Sequence, residues 1–93
     1  MQRHQGLQDL FLNQVRRENI GVTIYLSNSV QLRGNVRGFD QFTILLDSPG
    51  RPTQLVYKSS VTSIVPGRQV SMKEAAERGF DITDTPEIEG QDA

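Results

Sequence analysis

The chain has no cysteine, no tryptophan and one histidine among its 93 residues. The missing cysteines exclude a disulfide framework, a thiolate metal site and a cysteine nucleophile. The single histidine, His4, lies in a polar N-terminal stub beside Arg3, so it has no partner for general base or ligand work. No run of about 18 apolar residues is present and the N-terminus lacks the apolar core of a signal peptide. These absences lead us to expect a soluble, cytoplasmic chain with no membrane partner.

The net charge of -1 conceals a division along the chain. Residues 1–68 hold eight Lys or Arg against four acids, whereas residues 69–93 hold two against seven. A basic body followed by an acidic tail suits a protein that binds polyanions and carries its own competitor. The length fits one small domain with little stability to spare.

Hydrophobic spacing divides the body into one helix and several strands. In "LQDLFLNQVRREN", Leu7, Leu10, Phe11, Leu12 and Val15 fall on one arc at helical spacing. Asn13, Arg16 and Arg17 share the opposite sector, and Gly21 after Asn19 is the expected stop signal. From residue 22 the period becomes two: Val22, Ile24 and Leu26 alternate with Thr23, Tyr25 and Ser27. "NS" marks a turn before "VQLRGNVRGF", where Gly34 and Gly38 signal a bend or a close backbone approach. "FDQFTILLD" reads as a third strand, "DSPGRPT" as a loop, and "LVYKSSVTSIVP" as two strands joined at Lys58–Ser60 by almost nothing. The expected fold is mainly β: a small, strongly bent five-stranded barrel behind an N-terminal helix. Strands four and five are apolar edges that self-association into a ring would cover. Beyond Pro66, Ser71 and Glu74 have capping-box spacing, so residues 72–78 are expected to form a short helix ended by Gly79. The rest of the tail is acidic, poor in large apolar groups and expected to be largely disordered. The boundaries are thus a stub at 1–6, a domain at 7–68 and a tail at 69–93.

Catalysis finds no support in this inventory. No nucleophile and base are paired, no metal-ligand spacing exists, and the glycines of "RGNVRG" lie within a strand. Binding fares better. Tyr25 sits on the polar side of its strand, where it can stack on a base. Gln31, Gln41 and Gln54 carry amides suited to base edges.

The blocks "LQDLFLNQVRREN", "VTIYLSNSVQLRGNVRGFDQFTILLD" and "LVYKSSVTSIVP" together closely resemble the bacterial Hfq family of Sm/LSm RNA chaperones. The resemblance spans about residues 5 to 68, and "FDQF", "ILL" and "VYK" are its most specific parts. It implies an Sm-like barrel in a homohexameric ring, with strand four of one subunit pairing with strand five of the next. No cofactor and no enzymatic activity are implied. The implied proximal face takes U-rich RNA on Gln8, Gln41, Phe42, Tyr57, Lys58 and Ser59, with Phe42 stacking on uracil. The implied distal face takes A-rich RNA on Tyr25, Leu26, Asn28, Ser29, Val30, Gln31, Leu32, Arg33, Gln54 and Ser63. The implied rim is Asn13, Arg16, Arg17 and Phe39. Partners would be small regulatory RNAs, messenger RNAs and RNA-processing proteins, with tail acids competing for the rim.

Three departures qualify the resemblance. Ser59 stands where the family has a histidine after "YK"; a serine neither charges nor stacks, so weaker and less pH-sensitive proximal binding is expected. Arg33 stands where the family often has glutamine or glutamate, and the "DSPGRPT" loop is longer than usual. The alternative reading is an Sm-like ring that acts mainly as a protein scaffold and binds RNA weakly; an unrelated SH3-like barrel is a third. Replacement of Tyr25 discriminates the first two, and a stable hexamer excludes the third.

Overall fold

The computed structural model describes residues 6–82; His4, the rest of the stub and the end of the tail lie outside the described residues. Helix α1 (Leu7–Arg17) leads into strands β1 (Gly21–Leu26), β2 (Gln31–Phe39), β3 (Thr43–Asp47), β4 (Gln54–Tyr57) and β5 (Val61–Pro66), and helix α2 (Lys73–Glu77) follows. A single 3-10 turn, Lys58–Ser60, joins β4 to β5. All strands are antiparallel in one bent sheet of order β4-β3-β2-β1-β5, leaving β4 and β5 as its edges.

Helix α1 forms because Leu10, Leu12 and Val15 can be buried together, while Asp9 in its first turn and Arg16 and Arg17 in its last complement the helix dipole. Leu7 departs from the expected arc and stays 43% exposed. The helix is closed by Asn19, just past its last turn, not by the glycine that the sequence suggests. Asn19 adopts φ 54°, its amide donates to the Arg16 carbonyl, and the Ile20 amide donates to the Val15 carbonyl. This is a Schellman arrangement with asparagine in the left-handed position and Ile20 closing over Val15. Gly21 is already the first residue of β1.

The strand alternation places Val22, Ile24, Val36, Ile44, Leu46 and Val56 inward, where they join Leu12, Val15, Ile20 and Val70 in one core. Full burial of each such side chain is worth about 1.5–3 kcal/mol. The two glycines of β2 have different tasks. A Cβ on Gly34 would lie 2.5 Å from the Asp47 carbonyl oxygen, so glycine there lets β2 and the end of β3 approach closely. Gly38 has open space around it and follows a register shift between Val36 and Gly38, a bulge that bends the sheet.

The ordered chain continues past residue 68. Val70 and Ala75 are buried, and Met72 packs against the core. The expected capping box does not form: Ser71 Oγ accepts from the Lys73 amide at 3.3 Å, two residues on. Glu74 turns instead to Arg17 and Arg78. Two opposing guanidiniums outcompete the reach back to the helix start. No helix among the described residues is long and apolar enough to cross a membrane.

Candidate nucleic-acid interface

Three groups of side chains were expected to form RNA contacts, and the fold treats each differently. The first surrounds the 3-10 turn. Lys58 opens this turn, which falls on the minimal Lys58–Ser60 connection expected from the sequence, and its amide donates to the Phe42 carbonyl at 2.8 Å. That bond seats the β2–β3 link, with Gln41 and Phe42, against the turn that carries Ser59. Phe42 and Tyr57 are 66% and 60% exposed, large rings left open to solvent. Asp40 fixes the conformation of the link. Its Oδ1 accepts from the Phe42 amide at 2.8 Å, the Thr43 amide at 2.7 Å and the Thr43 hydroxyl at 2.7 Å. The Thr43 hydroxyl first, then the two amides and the nearby charge of Lys58, hold its carboxyl below the usual carboxylate range.

Lys58 is not a free cation. Its ammonium donates to Asp9 Oδ1 at 2.9 Å and stands 5.6 Å from the centre of the Phe39 ring. Only 14% of its side chain is exposed. Phe39, assigned by resemblance to the rim, is half-buried and serves here as the floor beneath Lys58. Gln8 and Lys58 line one pocket of about 450 Å³ with Leu7, Phe11, Val61 and Met72.

The second group centres on Tyr25. The register sets Tyr25 between Gln31 of β2 and Ser63 of β5, and the next pair on the same face is Thr23 with Arg33. Three of the expected distal residues are thus brought side by side by strand pairing alone. Ser63 also lines the pocket that holds Gln8 and Lys58. The Thr62 hydroxyl donates to the Tyr25 carbonyl at 3.1 Å, next to a register shift between Tyr25 and Leu26. Leu26 and Leu32 are half-buried against the core, whereas Val30 is 44% exposed. The β1–β2 turn is held by Asn28 Oδ1, which accepts from the Val30 amide at 3.1 Å, and by Ser29 at φ 73°.

A separate groove of about 500 Å³ runs beside this face. Gln31, Leu32, Arg33 and Gln54 line it together with Ser48, Pro49 and Arg51 of the β3–β4 loop. The loop residues were missed in the sequence reading, although Pro49–Gly50 was a visible turn signal. Asp40 was missed too; an Asp two residues before an exposed Phe and three before a Thr is an Asx-turn pattern. Asp9 offered no local signal, because its partner is Lys58, far along the chain.

The third group lies on α1. Arg16 donates to Asn13 Oδ1, so these two residues, expected on the rim, form one unit. Arg17 pairs with Glu74 of α2 at 3.4 Å, both side chains being well exposed.

The Hfq protein family model matches residues 7–71. The chain belongs to the Hfq family. It is 51% identical over 78 residues to the RNA-binding protein Hfq of Alkaliphilus oremlandii, covering 84% of this chain and 96% of that one. Against the RNA-binding protein Hfq of Ruminiclostridium cellulolyticum it is 56% identical over 67 residues, 72% of this chain and 82% of that one. A crystal structure of the pleiotropic translational regulator Hfq has the same fold, with a TM-score of 0.63 at 24% identity, over 71% of this chain and 98% of that one. The Hfq fold therefore accounts for α1, the five strands and their order, and the matched region extends into the segment leading to α2.

Proposed function

We propose that this Hfq-family chain is a non-enzymatic RNA chaperone of the cytoplasm, assembled as a homohexameric ring. It binds single-stranded RNA through two separate surfaces and speeds the pairing of small regulatory RNAs with messengers. The observation that carries this reading is the pairing of Tyr25 with Gln31 and Ser63, a stacking ring between two hydrogen-bonding side chains. Base stacking on such a ring is worth about 1–3 kcal/mol per base. A-rich RNA is assigned to this surface.

U-rich RNA is assigned to Phe42, Tyr57 and Lys58, with Gln8 and Gln41 nearby. Phe42 is exposed and held by Asp40, so stacking on it requires little reordering. Lys58 supplies charge, tempered by Asp9. Ser59 contributes at most a hydroxyl, which makes this the weaker surface. On the rim, Arg16 and Arg17 attract phosphates, and Glu74 competes for Arg17. The open edges of β4 and β5, with Leu55 56% and Val65 48% exposed, support closure of a ring through those strands.

Fluorescence anisotropy with short A-rich and U-rich oligonucleotides at one stated salt concentration tests the assignment. Tyr25→Ala is expected to weaken A-rich binding alone, and Phe42→Ala to weaken U-rich binding alone. Failure of the wild-type chain to bind either oligonucleotide overturns the reading and leaves a protein-binding ring in its place.

A further inference from the structure

The groove beside Tyr25 differs in kind from a base pocket. Its lining of Gln31, Leu32, Arg33, Ser48, Pro49, Arg51 and Gln54 contains no aromatic ring. Two arginines line it instead, and neither Arg33 nor Arg51 has an acidic partner among the described residues. Of the seven other cations among the described residues, Arg17, Arg37, Lys58, Arg68 and Arg78 are paired with carboxylates, and Arg16 and Lys73 are not. Asp47, the acid next to the loop, is occupied by Arg37 at 3.1 Å.

The loop fixes the backbone positions of the two arginines relative to each other. Ser48 to Arg51 is a turn closed by the Arg51 amide donating to the Ser48 carbonyl at 3.1 Å. Pro49 and Gly50 occupy its central positions and Gly50 has φ 73°, the residue order and handedness of a type II turn. Ser48 is only 6% exposed, and its hydroxyl donates to the carbonyl of Arg33 itself. Gly34, the next residue of β2, lets the end of β3 lie close enough for this bond. Arg51 is thus presented at the end of a turn whose first residue is anchored to Arg33.

We infer that Arg33 and Arg51 form a phosphate subsite, which grips the phosphodiester backbone of the strand whose base stacks on Tyr25. The inference rests on the A-rich reading of the Tyr25 surface and adds to it the part that the β3–β4 loop builds. Guanidinium forks suit phosphate oxygens, and Gln31 and Gln54 add neutral donors at the same groove. The subsite reads no base. It raises affinity and sets where the backbone enters the surface.

The test is the salt dependence of A-rich oligonucleotide binding by the full chain and its Arg51→Gln, Arg51→Lys and Tyr25→Ala variants. Arg51→Gln keeps the turn and an amide but removes the charge. Its expected effect is an affinity loss of about tenfold at low salt, with a log–log salt slope flatter by about 0.7 for each subunit the strand crosses. Arg51→Lys is expected to keep most of the slope. An oligonucleotide with neutral methylphosphonate linkages is expected to bind wild type and Arg51→Gln equally. Unchanged slope in Arg51→Gln, with binding still dependent on Tyr25, overturns the phosphate subsite and leaves the Tyr25 surface standing. Indifference of A-rich binding to Tyr25→Ala overturns the surface reading and the subsite with it.

Discussion

Replacement of Gly34 by alanine is the sharpest structural test, because the fold makes that position intolerant and leaves Gly38, four residues on, permissive. A Cβ at position 34 would sit 2.5 Å from the Asp47 carbonyl oxygen, 2.8 Å from Ser48 Oγ and 3.0 Å from the Asp47 carbonyl carbon. Ordinary contact begins near 3.4 Å, so the backbone of Asp47 must retreat by about 0.9 Å. Asp47 is paired with Asn35 across β2 and β3, so it cannot move alone. Overpacking of this kind costs about 1–3 kcal/mol, and loss of the bond from Ser48 to the Arg33 carbonyl adds about 1 kcal/mol. Alanine's smaller unfolded-state entropy offsets about 0.5–1 kcal/mol. The net loss is about 2 kcal/mol, or roughly 8–16 °C in Tm for a domain of this size. Thermal melts followed by circular dichroism measure it, at one fixed protein concentration because assembly also shifts Tm. Gly38→Ala, with nothing within 4 Å of its new Cβ, is expected to melt within a few degrees of wild type. Equal melting of the two variants would refute the close-approach argument.

Asp40→Ala is expected to free the Phe42 link and weaken U-rich binding while leaving A-rich binding unchanged, as anisotropy would report. The Asp40 carboxyl is held below its ordinary value of 3.8, so its contribution is complete above that pH and is lost only as pH falls through the lower folded-state value. Circular dichroism and U-rich binding should therefore show no Asp40 transition between pH 5 and 8, and a step there of the kind Asp40→Ala removes would contradict the assignment. Asp9→Asn is expected to tighten U-rich binding several-fold, since it releases Lys58 from a partner at 2.9 Å. Unchanged or weaker binding in Asp9→Asn would mean that Asp9 positions Lys58 and does not compete for it.

Most of the architecture was legible because two periodicities carry it. Leu10, Leu12 and Val15 mark the helix, and the alternation of Val22 and Ile24 marks the first strand. Gly34 and Gly38 signalled the bend, though only the structure separates the close approach from the bulge. Features that rest on long-range pairing were not legible. The Lys58–Ser60 joint was legible, but the charge of Lys58 looked misplaced beside an apolar strand until the distant Asp9 accounted for it. Glu74 had the spacing of a cap and was drawn to Arg17 and Arg78 instead. Val70 and Ala75 are too isolated in sequence to announce a core segment, yet both are buried. At the Tyr25 surface, resemblance named the residues while strand register explains why Tyr25, Gln31 and Ser63 meet. Arg51 escaped notice because a charged residue in a Pro-Gly loop reads as solvated until its groove is seen.

The central claim is that one ring uses two separate surfaces for two RNAs, and simultaneous occupancy tests it most directly. Saturating the protein with unlabelled A-rich oligonucleotide and titrating labelled U-rich oligonucleotide should leave the U-rich Kd nearly unchanged. Energy transfer between labelled A-rich and U-rich strands should then report a ternary complex. Mutual displacement, with no ternary complex at any protein concentration, would contradict the account and reduce the two surfaces to one.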